Sequence, residues 1–290
     1  MSHGADSVKS IIFALCANLA IAASKLIAAA VTGSGSMMAE SIHSLADSGN
    51  QLLLLLGIKR AKRAPTPDYP LGFGKTVYFW SFIVALMLFS MGGVFSIYEG
   101  FHKFHHPESL NYPYVAIGVL LISIIAESIS MWGCLREVKK ERQGSKLRQW
   151  FKETRQSDLL VVFGEDLAAL IGLCVAMIAI TLTIITDNPV YDAMGSILIG
   201  VLLVVIAFVI GIEVKALLIG QSVEPKQRIQ MLEFLQKQDG IDEVFNLLTI
   251  QLGKDVMVAV KARMVKMDSA ESLINAVNRC EVGFKRAFPQ

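Results

Sequence analysis

The sequence predicts an all-α domain of six membrane-spanning helices followed by a small α/β cytoplasmic domain. Three observations carry that prediction. The 290-residue chain is 53% apolar and only 18% charged, against roughly 25% charged residues in soluble domains. Its apolar residues gather into six long runs. Basic residues fall almost entirely in alternate gaps between those runs. With a mean hydropathy of +0.53, the composition excludes a disordered, collagen-like or disulfide-scaffold chain, and argues against an ordinary cytosolic enzyme. A net charge of +2 gives no global field for a nucleic-acid partner.

A spanning helix needs about 20 mostly apolar residues, and the runs 9–31, 37–58, 77–98, 113–135, 158–184 and 192–219 qualify. The first is not expected to be a cleaved signal peptide, because it has almost no basic leader and Asn18 and Lys25 interrupt it. Lys59, Arg60, Lys62, Arg63 and Lys75 lie in 59–76, and eight basic residues lie in 136–155. The alternate stretches 32–36, 99–112 and 185–191 hold Lys103 alone. That asymmetry places both termini and the basic loops in the cytoplasm, giving an integral membrane protein, expected in a bacterial inner membrane. Residues 1–220 form the transport domain of this reading and residues 221–290 a cytoplasmic dimerisation domain.

The character changes after residue 220: 221–290 holds ten basic and nine acidic residues. Pro225 opens a helix through Lys237. Val244–Leu252 reads as a strand with Val244, Leu247, Thr249 and Gln251 alternating. Gly253-Lys254-Asp255 makes a turn, and Val256–Met264 returns as the partner strand with Val256, Val258, Val260 and Ala262 on one face. Ser269–Ala287 resumes helical spacing. The order α-β-β-α suits a small ferredoxin-like or metallochaperone-like unit, too small to cover its own sheet without a second copy. The four cysteines, Cys16, Cys134, Cys174 and Cys280, form no paired motif, and the three within apolar runs are expected to be core residues.

Ionisable residues inside spans are costly and point to function. His43 and Asp47 in the second span are one turn apart, about 40° around the helix. An imidazole and a carboxylate so placed suit a borderline divalent cation; they could equally bond one another. Glu165 and Asp166 in the fifth span are adjacent, so about 100° separates them and only one can face the second helix. Gly164, Ala168, Ala169 and Gly172 around them allow close approach of a neighbour, as a shared cation or a simple packing seam would need. Neutral His43 with ionised Asp47 and Asp166 would balance a 2+ ion to zero, the least costly charge state at membrane depth. When the ion leaves, protons replace it, and His43, with a reference pKa of about 6.5, can join that exchange.

Other polar positions have plainer readings. Lys25 and Glu127 could pair across helices, or Glu127 could line an ion path. Asn18 and Asn50 read as interhelical hydrogen-bond partners, and Glu40 as a solvated or capping residue. His102, His105 and His106 could collect or release metal, but read first as a solvated interfacial turn. No nucleophile–base set, phosphate loop or H-E-x-x-H motif occurs, so no enzyme is expected.

Taken together, Asn18 and Lys25, Thr32-Gly-Ser-Gly-Ser36, Ala39-Glu-Ser-Ile-His43-Ser-Leu-Ala-Asp47, Pro67-Asp-Tyr-Pro-Leu-Gly-Phe-Gly-Lys75, and Asp187-Asn-Pro189 with Asp192, Gly195, Ser196 and Gly200 resemble the cation diffusion facilitator family over nearly the whole chain. The resemblance implies a homodimer in a lipid bilayer, with a transport site in each subunit between the second and fifth helices. It implies proton-coupled export of Zn2+ from the cytoplasm by alternating access, with H+ as counter-ion and Mn2+, Fe2+ or Co2+ as rival cargo. By position, His43, Asp47 and Asp166 match metal ligands. Val162 stands where zinc members usually carry a second histidine, so water, Glu165 or an unexpected residue must complete the set. Tyr69, Pro70 and Phe73 occupy places of an accessory histidine site, and no histidine follows His106. The Leu-Gly-Phe stretch and the Glu165-Asp166 pair resemble the branch that holds the mitochondrial zinc transporter and its bacterial relatives.

Overall fold

A computed structural model describes residues 3–107, 109–142 and 144–290, with side chains from residue 18 onward. Among the described residues the chain forms α1 (His3–Thr32), α2 (Gly35–Ala61), α3 (Thr76–Met87), α4 (Phe95–His105), α5 (Pro113–Glu141), α6 (Leu147–Glu153), α7 (Ser157–Thr186), α8 (Val190–Ile219), α9 (Pro225–Gln236), β1 (Ile241–Leu252), β2 (Asp255–Met264) and α10 (Ala270–Ala287). A π-helical turn, Leu88–Val94, joins α3 and α4 into one rod. Six long rods therefore stand where the six apolar runs were read.

Four of them, Thr76–His105, Pro113–Glu141, Ser157–Thr186 and Val190–Ile219, are long and apolar enough to cross a membrane by length and composition. The expected count of six is thus met by four on this ground. The described apolar part of α1, Asn18–Thr32, is shorter. Helix α2 interrupts its apolar sequence with Glu40, Ser41, His43, Ser44, Asp47, Ser48 and Asn50. The bundle is apolar outward as well as inward. On α5, Ile122, Ile125, Ile129 and Trp132 are exposed, and on α8 so are Leu198, Val201, Val205 and Phe208. Both sets recur at helical spacing as unbroken apolar stripes, which water would not tolerate but hydrocarbon would.

Helix α2 sits inside the bundle, packed on α1, α3, α7 and α8. Its start is fixed by three devices. Gly33 takes φ +70°, where a Cβ would be strained. Ser34 is the N-cap, its hydroxyl accepting from the Met37 amide at 3.1 Å. Asp192 of α8 then accepts from the Gly35 amide (2.6 Å), the Ser34 hydroxyl (2.7 Å) and the Ser36 amide (3.3 Å), and from the Ser36 hydroxyl. A carboxylate at a helix N-terminus is favoured by the orphan amides and the dipole together.

The rod α3–α4 lies against α8 along a glycine seam. A Cβ on Gly93 would lie 2.6 Å from Val204 Cγ2. One on Gly100 would lie 2.7 Å from the Ile197 nitrogen, and one on Gly200 2.6 Å from the Ile97 nitrogen. Only hydrogen fits at all three places, so the two backbones touch. Of the cysteines expected in the core, Cys134 is buried but Cys174 is exposed; α7 turns it outward among apolar neighbours. Cys16 lies outside the described side chains.

The terminal region follows the expected α-β-β-α order, with β1 and β2 in a two-stranded antiparallel sheet. Val244 pairs with Ala262, Leu247 with Val260, Thr249 with Val258 and Gln251 with Val256. A register shift between Val244 and Asn246 explains how Val244 and Leu247, three apart, share a face: the extra residue resets the period of two. Gly253, at φ +71°, opens the two-residue turn. Ser269 caps α10, accepting from the Ser272 amide at 3.1 Å.

The hairpin tip docks on the membrane-domain loop. The Gly253 amide donates to the Tyr78 hydroxyl at 3.0 Å, and Gly74 lies so close that a Cβ there would overlap the Leu252 carbonyl. Arg155 ties the same region together, donating to the carbonyls of Ser222 and Glu153, each at 2.7 Å. Gly74→Val should push the hairpin off its seat, at a cost of about 1–3 kcal/mol. The expected result is a lower Tm of the purified protein and faster proteolysis between α8 and α9. An unchanged Tm would show that this contact carries no stability.

Candidate metal centre

The site is built on one face of α2. His43, Asp47 and Asn50 are spaced i, i+4, i+7, which sets them within an arc of about 60°. His43 and Asn50 are fully buried. His43 Nδ1 lies 3.5 Å from Asp47 Oδ1. That is beyond a normal hydrogen bond, so the two polar groups are neighbours without satisfying one another. Both His43 nitrogens, Asp47 Oδ1 and Asn50 Oδ1 are buried with no hydrogen-bond partner. Buried polar atoms are nearly always paired, so four orphans on one helix face mark a place shaped for something else.

Helix α7 supplies the acids, and the 100° between neighbours sends them apart. Glu165 faces α2, where Asn50 Nδ2 donates to its Oε1 at 2.6 Å. It also lies within electrostatic reach of Asp47. Asp166 faces α5, where the Ser130 hydroxyl donates to its two carboxylate oxygens at 3.2 and 3.3 Å. The structure therefore brings His43, Asp47, Asn50 and Glu165 to the α2–α7 contact and sets Asp166 at the α5–α7 contact. Among the described residues, no three His, Cys, Asp or Glu side chains are gathered closely enough to hold an ion. Asn50, read from sequence as an interhelical hydrogen-bond partner, is one.

Asp166 lines a cavity of about 1120 Å3 together with Gln51, Leu54, Ser130 and Val162. Lys140 and Glu141, from the basic-loop end, and Gln227 of α9 also line it, so the cavity reaches from the α9 side of the molecule to the Asp166 carboxylate. The small residues around the acids do what close approach requires: Ala168 and Ala169 are buried. A Cβ at Gly164 would overlap Ile210 of α8, and one at Gly172 would overlap Glu40 Oε1 of α2.

Two sequence expectations are corrected. Lys25 does not pair with Glu127. Its ammonium reaches α2 instead, 3.3 Å from Glu40 Oε2 and 2.6 Å from the Ser44 hydroxyl, to which it donates. Glu40, expected to be solvated or a cap, is wholly buried by that pairing. The reason is local: α1 packs directly on α2, and Lys25 falls one to two turns inside the bundle, opposite Glu40 and Ser44. Glu127 remains half-buried on α5, within electrostatic reach of Lys25, Asp47 and Asp166. The three histidines His102, His105 and His106 are exposed, with the rings of His102 and His106 5.3 Å apart.

A bundle of membrane helices with a polar inner helix and orphaned metal-type donors defines a class of cation-handling membrane proteins. The cation efflux transmembrane domain matches residues 11–219, and this chain belongs to that family, the cation diffusion facilitators. It is 35% identical over 248 residues to the mitochondrial proton-coupled zinc antiporter SLC30A9 of Xenopus laevis, covering 84% of this chain and 44% of that protein. It is 34% identical to the human protein of the same name, with the same coverage. It is 30% identical over 222 residues to metal tolerance protein C4 of Arabidopsis thaliana, covering 75% of this chain and 48% of that one. The chain thus spans less than half the length of these relatives. The expectation of a bacterial inner membrane is overturned by them: the animal relatives are named mitochondrial. Loop charge reports which face of a membrane a segment occupies, and carries no sign of which membrane it is.

Breaking the Lys25–Glu40 pair tests how far it holds α1 on α2. Lys25→Met leaves a buried carboxylate alone and should cost about 3–5 kcal/mol. Adding Glu40→Gln should recover most of that. Thermal unfolding of the two variants checks it; equal loss in both would mean that the pair has no coupling energy.

Proposed function

We propose that the chain is a proton-coupled antiporter that moves a divalent cation, Zn2+ first, from the side of its basic loops to the opposite side. All six long rods cross the membrane in this reading. The observation that carries it is the set of orphaned, buried donors on α2 beside an α7 carboxylate. Family membership and the printed names of the animal relatives support the same reading.

The binding set of this reading is His43, Asp47 and Glu165, which the ion must draw together from the α2–α7 contact, with Asp166 receiving the cation from the cavity. Ionised Asp47 and one α7 carboxylate neutralise a 2+ ion, and neutral His43 supplies a nitrogen without adding charge. When the ion departs, the paired acids cannot both stay charged in so dry a place, and protons take its position. Cargo and protons therefore compete for the same atoms, which is the condition for exchange. Alternating access requires the cavity, lined at the basic-loop end by Lys140 and Glu141, to close while the far side opens. A single imidazole among oxygen donors also favours Mn2+, Fe2+ or Co2+ as rival cargo.

Flux into proteoliposomes tests the site. Metal addition should drive counter-movement of protons, and Asp47→Ala or Asp166→Ala should reduce both fluxes to background in folded protein. Transport surviving in both variants would mean the site lies elsewhere. Proton-free metal flux would remove the antiport.

Residues 221–290 form a dimer contact in this reading. Phe245, Leu248, Ile274 and Val282 are each more than half exposed, an apolar surface that a second copy would cover. Removing 222–290 should shift the purified protein from dimer to monomer in light scattering. A dimer that persists would place the interface on the spans.

A further inference from the structure

We infer that Asn50 is a ligand of the transported cation, its side-chain carbonyl oxygen filling the place that Val162 cannot. The inference rests on the site reading above and deepens it. Asn50 is seven residues after His43, which brings it within about 20° of the same line along α2. It is three residues after Asp47. His43 and Asn50 thus flank Asp47 from opposite directions along the axis, and His43 already reaches to 3.5 Å from the Asp47 carboxylate. An i,i+3 pair of ligands on one helix is a geometry that bundle metal sites use.

The orientation of the amide follows from its partner in the ion-bound state. Asn50 Nδ2 donates to Glu165 at 2.6 Å, and an ionised carboxylate accepts from the NH2 end alone. The carbonyl oxygen is turned the other way, fully buried and without a partner. One residue therefore does two things: its nitrogen holds the α7 carboxylate toward α2, and its oxygen completes the donor set. Once the ion draws the side chains together, the set is one nitrogen from His43 and oxygens from Asp47, Asn50 and Glu165. Such a site is harder than one with two imidazoles, so Asn50 sets the selectivity between zinc and oxygen-preferring cations.

Purified full-length protein, titrated with Zn2+, Mn2+ and Co2+, tests this, with the visible absorption of bound Co2+ reporting ligand number and type. Asn50→Ala should weaken Zn2+ binding by about tenfold or more and change the Co2+ spectrum. Asn50→Asp keeps the oxygen and loses the donor to Glu165, and should bind at least as tightly as the parent. A role confined to bonding Glu165 reverses that order, because Asp would repel Glu165, and that order overturns the inference. Unchanged affinity and spectrum in Asn50→Ala, with binding abolished by His43→Ala, would overturn it while leaving the site in place. Unchanged binding in both would remove the site as well. Should Asn50→Ala fail to fold, Asn50→Gln, which displaces the oxygen by one methylene, must shift the Co2+ spectrum; an unshifted spectrum overturns the inference.

Discussion

The burial of charge on α2 is the constraint to which the rest of the bundle answers. Glu40, His43 and Asn50 are wholly enclosed, and polar groups at membrane depth are tolerated only when partnered or when a ligand completes them. Each neighbouring helix meets part of that requirement. Lys25 of α1 neutralises Glu40. Glu165 of α7 takes the Asn50 amide. Asp192 of α8 anchors the helix start. Glycines at 164 and 172 let α7 approach α8 and α2 closely. What is left over on α2 is one oxygen of Glu40 and the polar atoms of His43, Asp47 and Asn50, which no group among the described residues satisfies.

The arrangement divides α2 into two polar zones with different physics. Glu40 and Ser44 are matched by a fixed ammonium that neutralises the carboxylate through Oε2, although Glu40 Oε1 has no partner. Interleaved with it along the helix and running on toward the C-terminal side, His43, Asp47 and Asn50 carry polar atoms that no group among the described residues partners. A mobile 2+ ion in the second zone would do transiently what Lys25 does permanently in the first. The α7 acids extend that second zone in two directions, Glu165 inward to α2 and Asp166 outward to the water-accessible cavity.

Much of this was legible in the sequence, and the misses have identifiable causes. The rods, the α-β-β-α order and the strand faces followed from spacing, since periodicity records burial directly. The bulge near Val244 was visible only as an odd interval between apolar positions. Spacing also showed that Glu165 and Asp166 diverge, but not which of them faces α2, because helix rotation is set by packing of Gly164 and Gly172 against other helices. The partner of Lys25 was missed for the same reason: candidates on two helices fit the charge, and only the packing of α1 on α2 separates them. Asn50 was read as a structural hydrogen bond, and its nitrogen makes one. That its oxygen is left bare is a fact of three-dimensional enclosure, with no signature in the chain.

The glycine seam between the α3–α4 rod and α8 has a mechanical corollary. Backbone lies directly on backbone at Gly93, Gly100 and Gly200, so the spacing of the two rods is set by main chain alone, with no side chain to cushion a change. An added methyl at any of the three would wedge the α3–α4 rod off α8.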